Sequence, residues 1–203
     1  MKEDILEQIV DDYLQMRGFF TRRNIKFRPR KSHPDFSTKA DAVPSDIDVI
    51  GVNPHLHGPA KVWVVSCKSW QSGFNVKGKL TELKQNKKRS GREAWKSFRE
   101  LMIPKWGEAF RAAVLRETGC RKFTYATAVT RLSGDPSVWE RCGQFRKAMR
   151  GNPIRLLSLS EMVCYMMPRI TKTPAGSDLG RTLQLLKASR FLDELGSPPT
   201  THN

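Results

Sequence analysis

Two short segments place charged side chains within otherwise apolar sequence. One reads Ser-Asp-Ile-Asp-Val-Ile from position 45, and the other reads Val-Trp-Val-Val-Ser-Cys-Lys from position 62. In β-strands, residues two apart share a face, so Asp46 would lie beside Asp48, and Ser66 beside Lys68. If the strands are neighbours, a carboxylate and an ammonium meet at the edge of an apolar sheet. Such charges must pair, bind a metal ion or take part in chemistry, because burial alone is costly.

The residue types at Asp48 and Lys68 suit the hydrolysis of a phosphodiester. This reaction needs a nucleophilic water and relief of negative charge, and a divalent cation held by carboxylates supplies both. Mg²⁺ keeps much of its hydration and needs only one or two protein carboxylates. A nearby lysine orients the water or neutralises the developing charge. These two positions therefore predict a metal-dependent site.

The composition predicts a polyanionic partner. The 203 residues include 36 Lys and Arg against 20 Asp and Glu, a formal net charge of +16. Nucleic acid is the first partner that this excess favours, and an anionic membrane surface is the second. A basic solvated surface and a ribosome-associated protein are the alternatives. Because no apolar run approaches the roughly 20 residues of a membrane span, we expect no membrane partner.

The cysteines predict a reducing compartment. Cys67, Cys120, Cys142 and Cys164 are far apart and form no Cys-x-x-Cys pair, which disfavours a zinc site. The acidic, amphipathic N-terminus does not resemble a secretory signal. We therefore expect reduced thiols and a cytoplasmic location.

The periodicity predicts helices alternating with strands. Residues 2–17 form a helix, with Glu7 beside its apolar stripe, and strands at 45–52 and 61–69 form a hairpin. Helices between the later strands imply crossover connections, and hence a mixed sheet. The other expected elements are basic helices over 77–122 with a capping box at Ser90–Glu93, a strand at 123–132, a helix from Asp135, a strand at 154–159, and a last helix capped by Ser177.

At these residues the chain resembles the PD-(D/E)xK nuclease superfamily, most closely its Mrr-type restriction and Holliday-junction-resolvase-like branches. That family has an acidic residue on the first helix, an Asp on one strand, and (D/E/Q)-x-Lys on the next. Glu7 matches the helix position, Asp48 the strand Asp, and Lys68 the final Lys. The resemblance implies an α/β, restriction-endonuclease-like fold, a mixed β-sheet core flanked by helices on both faces.

The same resemblance implies domains and roles. Residues 1–170 would form the core domain, 171–196 a C-terminal helix packed on it, and 197–203 a flexible tail. The activity would be that of a DNA endonuclease dependent on Mg²⁺ or Mn²⁺. Asp48, the backbone carbonyl of Cys67 and Glu7 would hold the metal ion, and Lys68 would act on the attacking water.

The chain departs from the family pattern at Ser66, where Glu, Asp or Gln is expected. A hydroxyl carries no charge and is a weak ligand for a hard cation. Either another carboxylate replaces the missing one, or the site is crippled. Glu82, on the next predicted helix, is the first candidate for that replacement, and Asp46 is the second.

The basic residues predict contacts to phosphates of double-stranded or branched DNA. Such contacts release counterions and position a protein without reading bases. Trp70 and Phe74, which follow Lys68, would stack on an unpaired base or belong to the core. The predicted phosphate contacts are Arg22, Arg23, Lys26, Arg28, Arg30, Lys31, Lys77, Lys79, Lys84, Lys87, Lys88, Arg89 and Arg92.

Less specific interpretations of the same residues stay open. The aspartates at 46 and 48 would be ordinary strand-end residues, Lys68 would extend to solvent or pair with Glu82, and Glu7 would be a solvated helix residue. Two other functions also fit: an inactive nuclease-fold module that binds nucleic acid within a larger complex, and a structural protein of a ribonucleoprotein. A homodimer is a further expectation, since related nucleases pair to cut two strands.

Overall fold

A mixed sheet of five strands forms the centre of the protein in a computed structural model, which describes residues 4–89, 91–171 and 177–189. Its strands lie in the order β1-β2-β3-β7-β9; the first three are antiparallel, and β3, β7 and β9 are parallel. In the described residues the strands are β1 (Phe20–Phe27), β2 (Ser45–Val52), β3 (Val62–Lys68), β4 (Phe74–Asn75), β5 (Lys88–Arg89), β6 (Arg92–Glu93), β7 (Thr124–Val129), β8 (Leu132–Ser133) and β9 (Ile154–Ser158).

Helices cover both faces of this sheet, as expected from the crossover connections. One face packs against α1, α8 and α9, and the other packs against the helices between β4 and β9. The described helices are α1 (Ile5–Met16), α2 (Thr38–Asp41), α3 (Val76–Lys84), α4 (Arg99–Met102), α5 (Pro104–Thr118), α6 (Pro136–Glu140), α7 (Gly143–Ala148), α8 (Leu159–Met166) and α9 (Asp178–Ala188).

Strand β3 is apolar because both of its faces are buried. Val62 and Val64 pack into the core beneath α3 to α7, while Trp63 and Val65 pack into the core beneath α1 and α8. A central strand buried on both sides is a continuous apolar run rather than an alternating one. The apolar run ends at Ser66. The polar residues of β3 therefore lie at its carboxyl end, which is where the candidate site is.

Helix α1 agrees with the sequence prediction. The Asp4 side chain caps it by accepting a hydrogen bond from the Leu6 N–H at 2.9 Å. Gly18, with a φ of 82°, adopts the left-handed conformation that ends the helix and turns the chain into β1. The apolar stripe packs against the sheet, which holds Glu7 at a fixed place relative to β2 and β3.

Two segments predicted as helical differ in detail from the prediction. Between 77 and 122 the chain forms α3, a β5–β6 hairpin, a 3₁₀ turn at Ala94–Phe98, α4 and α5. The capping box predicted at Ser90–Glu93 is wrong, because Gly91, with a φ of 76°, lies in the turn of that hairpin; Ser90 itself lies outside the described residues. The helix from Asp135 is likewise divided, into α6 and α7.

The C-terminal helix packs on the core where the structure describes it. Ser177 caps α9 by accepting from the Gly180 N–H at 2.9 Å, as predicted, and its hydroxyl donates to the Asp12 carboxylate of α1 at 2.6 Å. Leu183 is buried against α1 and α8. The tail predicted at 197–203 lies outside the described residues.

A buried carboxylate fastens the loop after β1 to helix α5. Asp41 is 1% exposed, and its side chain accepts hydrogen bonds from the Ser37 N–H at 2.8 Å, the Lys105 ammonium at 2.6 Å and the Trp106 indole N–H at 3.0 Å. A charge buried so completely is tolerated only with such partners. Asp41 therefore determines where α5 begins relative to the sheet.

We expect Asp41→Ala to lower the free energy of unfolding by about 3 kcal/mol, because it leaves the Lys105 ammonium and the Trp106 indole without their buried acceptor. Urea unfolding followed by circular dichroism measures the change. The matched control is Asp35→Ala, which removes an exposed carboxylate from the same loop and is expected to change the stability by less than about 0.5 kcal/mol. Equal effects of the two variants would contradict the anchoring role.

Candidate active site

The Asp48 carboxylate links two strands where their backbone pairing ends. The β2–β3 ladder runs from Val52 opposite Val62 to Val49 opposite Val65. One residue further on, Asp48 Oδ2 accepts a hydrogen bond from the Cys67 N–H at 2.6 Å. The half-buried side chain thus takes the place of a backbone acceptor, which holds the carboxylate at the edge of the sheet.

Strand β2 is distorted at Asp48. Across from it on β1, Asn24 has a φ of 58°, and the strands pair on either side of this residue. Ile47 and Ile50 are three residues apart, yet both pack into the same core. The strict alternation of faces expected for this segment is therefore broken between them, because one left-handed residue changes the twist of the pair.

Lys68 belongs to a group of polar side chains on one face of the sheet. Its ammonium donates to the Ser66 hydroxyl at 2.8 Å and lies 5.6 Å from the centre of the Phe98 ring. The Tyr125 hydroxyl, on the neighbouring strand β7, donates to Glu100 Oε1 at 2.5 Å. Burial and Glu100 raise the pKa of Tyr125 well above its usual range, and the neighbouring Ser66 hydroxyl acts to lower it. Tyr125 therefore keeps its proton and remains a donor.

Glu100 is the acidic residue that the sequence analysis missed. It lies in the first turn of α4 and is only 6% exposed, and its charge acts on the pKa of Asp48. Its one sequence signal is its place between Phe98 and Leu101, two apolar residues at helical spacing. A carboxylate inside an apolar stripe is costly unless it has a partner, and Tyr125 is that partner.

Two acidic groups of the site, Asp48 and Glu7, have raised pKa values, and burial is the main cause for both. Burial raises the pKa of Asp48 to about 6; the Lys68 ammonium and the Cys67 N–H act to lower it, and Asp46 and Glu100 act to raise it.

Glu7 titrates even closer to neutrality. Burial raises its pKa to about 7, and Asp48, Asp4 and Asp46 add to the rise, while Arg23 opposes it. Glu7 of α1 and Asp48 of β2 are therefore electrostatically coupled. Two coupled acids near neutral pH are a feature of functional sites, and they exceed what a solvated helix residue would show.

This arrangement fits a divalent cation with few protein ligands. Repulsion among Asp4, Glu7, Asp46 and Asp48 would be relieved by a dication. Within the described residues, however, no three His, Cys, Asp or Glu side chains converge closely enough to hold an ion by themselves. A cation here would depend on one or two carboxylates, with backbone and water oxygens completing its shell, which Mg²⁺ accepts.

The two predicted replacements for the acid at position 66 differ in placement. Glu82 lies 2.7 Å from the Lys79 ammonium and lines a cavity of about 290 Å³ that neither Asp48 nor Lys68 lines. The structure therefore brings Glu82 to Lys79, and its use as a metal ligand stays a prediction. Asp46 does act on Asp48, but its carboxylate also pairs with Lys26 on β1.

The basic residues of β1 are partly neutralised. Arg22 pairs with Glu117, Lys26 pairs with Asp46, and the Arg23 guanidinium lies 3.6 Å from the Asp11 carboxylate. Part of the predicted phosphate surface on this strand thus meets protein carboxylates instead. Arg22 and Lys26 are exposed despite their ion pairs. The other exposed predicted cations are Arg28, Arg30, Lys31, Lys77, Lys84, Lys87 and Lys88, and the side chains of Arg89 and Arg92 lie outside what the structure describes.

The aromatic residues after Lys68 belong mainly to the core. Phe74 is 1% exposed and lies against Trp70 with its ring centre 6.1 Å away and nearly parallel. The Lys79 ammonium lies 4.3 Å from the Trp70 ring centre. Of the two expectations for Phe74, base stacking and core packing, the second is confirmed.

Comparison with protein-family models, curated proteins and solved structures found no match for this chain. Among the described residues, every helix is too short or too polar to cross a membrane. The four cysteines are free thiols, as expected from their spacing.

We expect Glu7→Gln to change how stability depends on pH. The folded protein holds the Glu7 proton with a pKa of about 7, against 4.5 for an ordinary Glu, so folding binds this proton more tightly. The stabilisation from Glu7 is complete below pH 4.5 and is lost as the pH rises through 7. Relative to wild type, the glutamine variant therefore gains stability over that interval, as urea unfolding at several pH values would measure. A difference that stays constant with pH would contradict the coupling.

Proposed function

We propose that this protein is a metal-dependent DNA endonuclease that hydrolyses phosphodiester bonds on a restriction-endonuclease-like fold. The observation that carries the proposal is the Asp48 carboxylate, desolvated and held at 2.6 Å by the Cys67 N–H, with the Lys68 ammonium acting on its charge. The net charge of +16 supports a polyanionic substrate. The resemblance to PD-(D/E)xK nucleases rests on these same residues.

In this proposal Asp48, the backbone carbonyl of Cys67 and Glu7 hold Mg²⁺ or Mn²⁺. The bound ion would supply a nucleophilic water at neutral pH and relief of charge on the phosphate. Lys68 would position that water, since its ammonium is held in place by the Ser66 hydroxyl at 2.8 Å and does not need to reorganise during the reaction.

Glu100 would replace the acid that the family pattern expects at position 66. Ser66 accepts from Lys68, its hydroxyl acts on the pKa of Tyr125, and Tyr125 donates to Glu100. A carboxylate from α4 thus belongs to the same group of polar side chains as Ser66. Its charge also acts on Asp48.

An inactive nuclease-fold module that binds nucleic acid is the second candidate function. Ser66 itself favours it, because a hydroxyl is a weak ligand for a hard cation. So does the lack, among the described residues, of three side chains that converge on one ion. In that case the basic surface would retain binding while the chemistry is lost.

We expect wild-type protein with Mg²⁺ or Mn²⁺ to nick plasmid or branched DNA, and Asp48→Asn and Lys68→Met each to lower the cleavage rate by about 100-fold or more. Both variants should still bind DNA, because neither removes an exposed cation. The charge-matched controls are Asp178→Asn on α9 and Lys147→Met on α7, both exposed. A wild type that binds but never cleaves, across metals and substrates, would favour the inactive module.

A second pair of variants tests the role of Glu100. We expect Glu100→Gln, which can still accept from Tyr125, to lower cleavage by about 100-fold while the protein stays folded. Tyr125→Phe removes the hydrogen bond but keeps the carboxylate, so it should cost less. Single-turnover cleavage rates measure both effects. Metal-dependent cleavage gained by Ser66→Glu in an inactive wild type would instead identify a degenerate site.

A further inference from the structure

A large cavity with a strongly basic lining lies away from the candidate active site. Its volume is about 760 Å³, and it is bordered by the loop after β1, by α5, and by the segments that precede β7 and β9. Its cationic lining residues are Arg30, Lys105, Arg111, Arg121, Lys122 and Arg150, and among the described residues Glu108 is the only acid that lines it. We call it the basic cavity.

The basic cavity lies at the opposite end of the parallel strands from Lys68. Phe123, which lines it, immediately precedes β7, while Lys68 pairs with Val129 at the other end of that strand. Six residues of strand separate the two places, which corresponds to about 20 Å. The two sites are therefore distinct surfaces of one sheet.

Most of the positive charge in the basic cavity has no acidic partner. Lys105 is paired with Asp41. Glu108 lies 3.8 Å from the His33 imidazole. For the side chains of the other cations that border the solvent, no carboxylate lies within ion-pair distance in the described part of the chain; these are Arg30, Arg121, Lys122 and Arg150.

The loops that present these cations are held in place. The Asn152 side chain accepts from the Phe123 N–H at 3.2 Å and donates to the Arg121 carbonyl at 3.2 Å, so it joins the segment before β7 to the segment before β9. Arg150 has a φ of 50°, an unfavourable backbone conformation for an arginine, next to Gly151 with a φ of 77°. The backbone preference of arginine therefore does not explain why a cation occupies position 150.

The cations also repel one another. Burial and the Arg150 guanidinium lower the pKa of Arg111, whose guanidinium donates to the Ala148 carbonyl. Bringing several like charges to one concave surface costs energy that a bound polyanion would offset.

The remaining lining indicates which anion fits. Phe123 is only 1% exposed and offers no face for stacking, and both polar atoms of the Asn152 amide are used within the protein. Apart from Ser32 and His33, a nucleobase would therefore find little in the lining that recognises it. The cavity is larger than a single phosphate needs, so a run of phosphates, bound without base recognition, matches it best.

We propose that the basic cavity binds the phosphodiester backbone of a nucleic acid, as a second contact surface about 20 Å from the Asp48–Lys68 edge. The ligand is recognised by charge from Arg30, Arg121, Lys122 and Arg150. This inference does not require the protein to cleave DNA, so it stands or fails separately from the proposed nuclease activity.

The test measures the affinity for a dye-labelled DNA duplex by fluorescence anisotropy in EDTA, where no metal-dependent cleavage occurs. The variant combines Arg121→Gln, Lys122→Gln and Arg150→Asn; asparagine tolerates the left-handed backbone at position 150. We expect about tenfold weaker binding at moderate salt, and a plot of log affinity against log salt that is less steep by about 2 to 3.

The control removes the same number of charges elsewhere, with Arg155→Gln, Arg169→Gln and Lys187→Gln, none of which lines the cavity. We expect these to leave the salt slope nearly unchanged, and Arg121→Lys with Arg150→Lys to retain wild-type binding. If the triple variant does not fold, Lys122→Gln and Arg150→Asn are tested singly, each with an expected slope change of about 1.

Two results would overturn the proposal. One is a folded triple variant that binds DNA with wild-type affinity and salt slope. The other is a result in which inorganic pyrophosphate binds the wild type but not the triple variant, while the two proteins bind DNA equally. The cavity would then bind a small phosphate compound. The same measurements on Asp48→Asn show whether binding persists when the candidate active site is changed.

Discussion

The hydrogen bond from the Cys67 N–H to the Asp48 carboxylate is the contact on which the candidate active site depends. It lies where the β2–β3 ladder ends, so a side chain satisfies a backbone donor that the sheet leaves open. The cost is a desolvated carboxylate whose pKa burial raises to about 6. Lys68 offsets part of this cost, and the left-handed Asn24 on the neighbouring strand accompanies the distortion. Asp48 thus both satisfies a backbone donor of the sheet and provides the carboxylate of the candidate active site.

The two ends of the parallel strands carry opposite local charge. At the carboxyl end of β3, Asp46 and Asp48 act on the pKa of Glu7, and Lys68 acts on the pKa of Asp48. At the amino ends of β7 and β9, arginines and a lysine surround an open cavity. The chain has a net charge of +16, and several of its acids lie together at one end of the strands. Cations elsewhere are therefore available to bind an anion. A metal-assisted reaction at one end of the strands and electrostatic binding at the other end would be compatible. The two sites are separated by about 20 Å, which is longer than the distance over which salt screens charges.

The β2–β3 hairpin, helix α1 and the mixed sheet could be predicted because each depends on local signals. These are the two apolar strand segments, the apolar stripe beside Glu7, and the helices between the later strands. The interruptions of the helical segments could not be predicted. The first segment is interrupted by a glycine turn at Gly91. The second is divided into α6 and α7, where helical propensity yields to packing against the sheet. The sequence did not indicate Glu100, because sequence proximity cannot show which helix turns toward Tyr125.

The sequence by itself determined the chemical types at the strand ends, Asp48 and Lys68, and the excess of positive charge. Only the tertiary structure decided which groups share a site. It brought Glu100 from α4 to Tyr125, drew Glu82 to Lys79 instead, and assembled the basic cavity from four separate segments. The reason is physical: strand periodicity is local, whereas the contacts of a buried charge depend on how distant elements pack and on which partner offsets its loss of water.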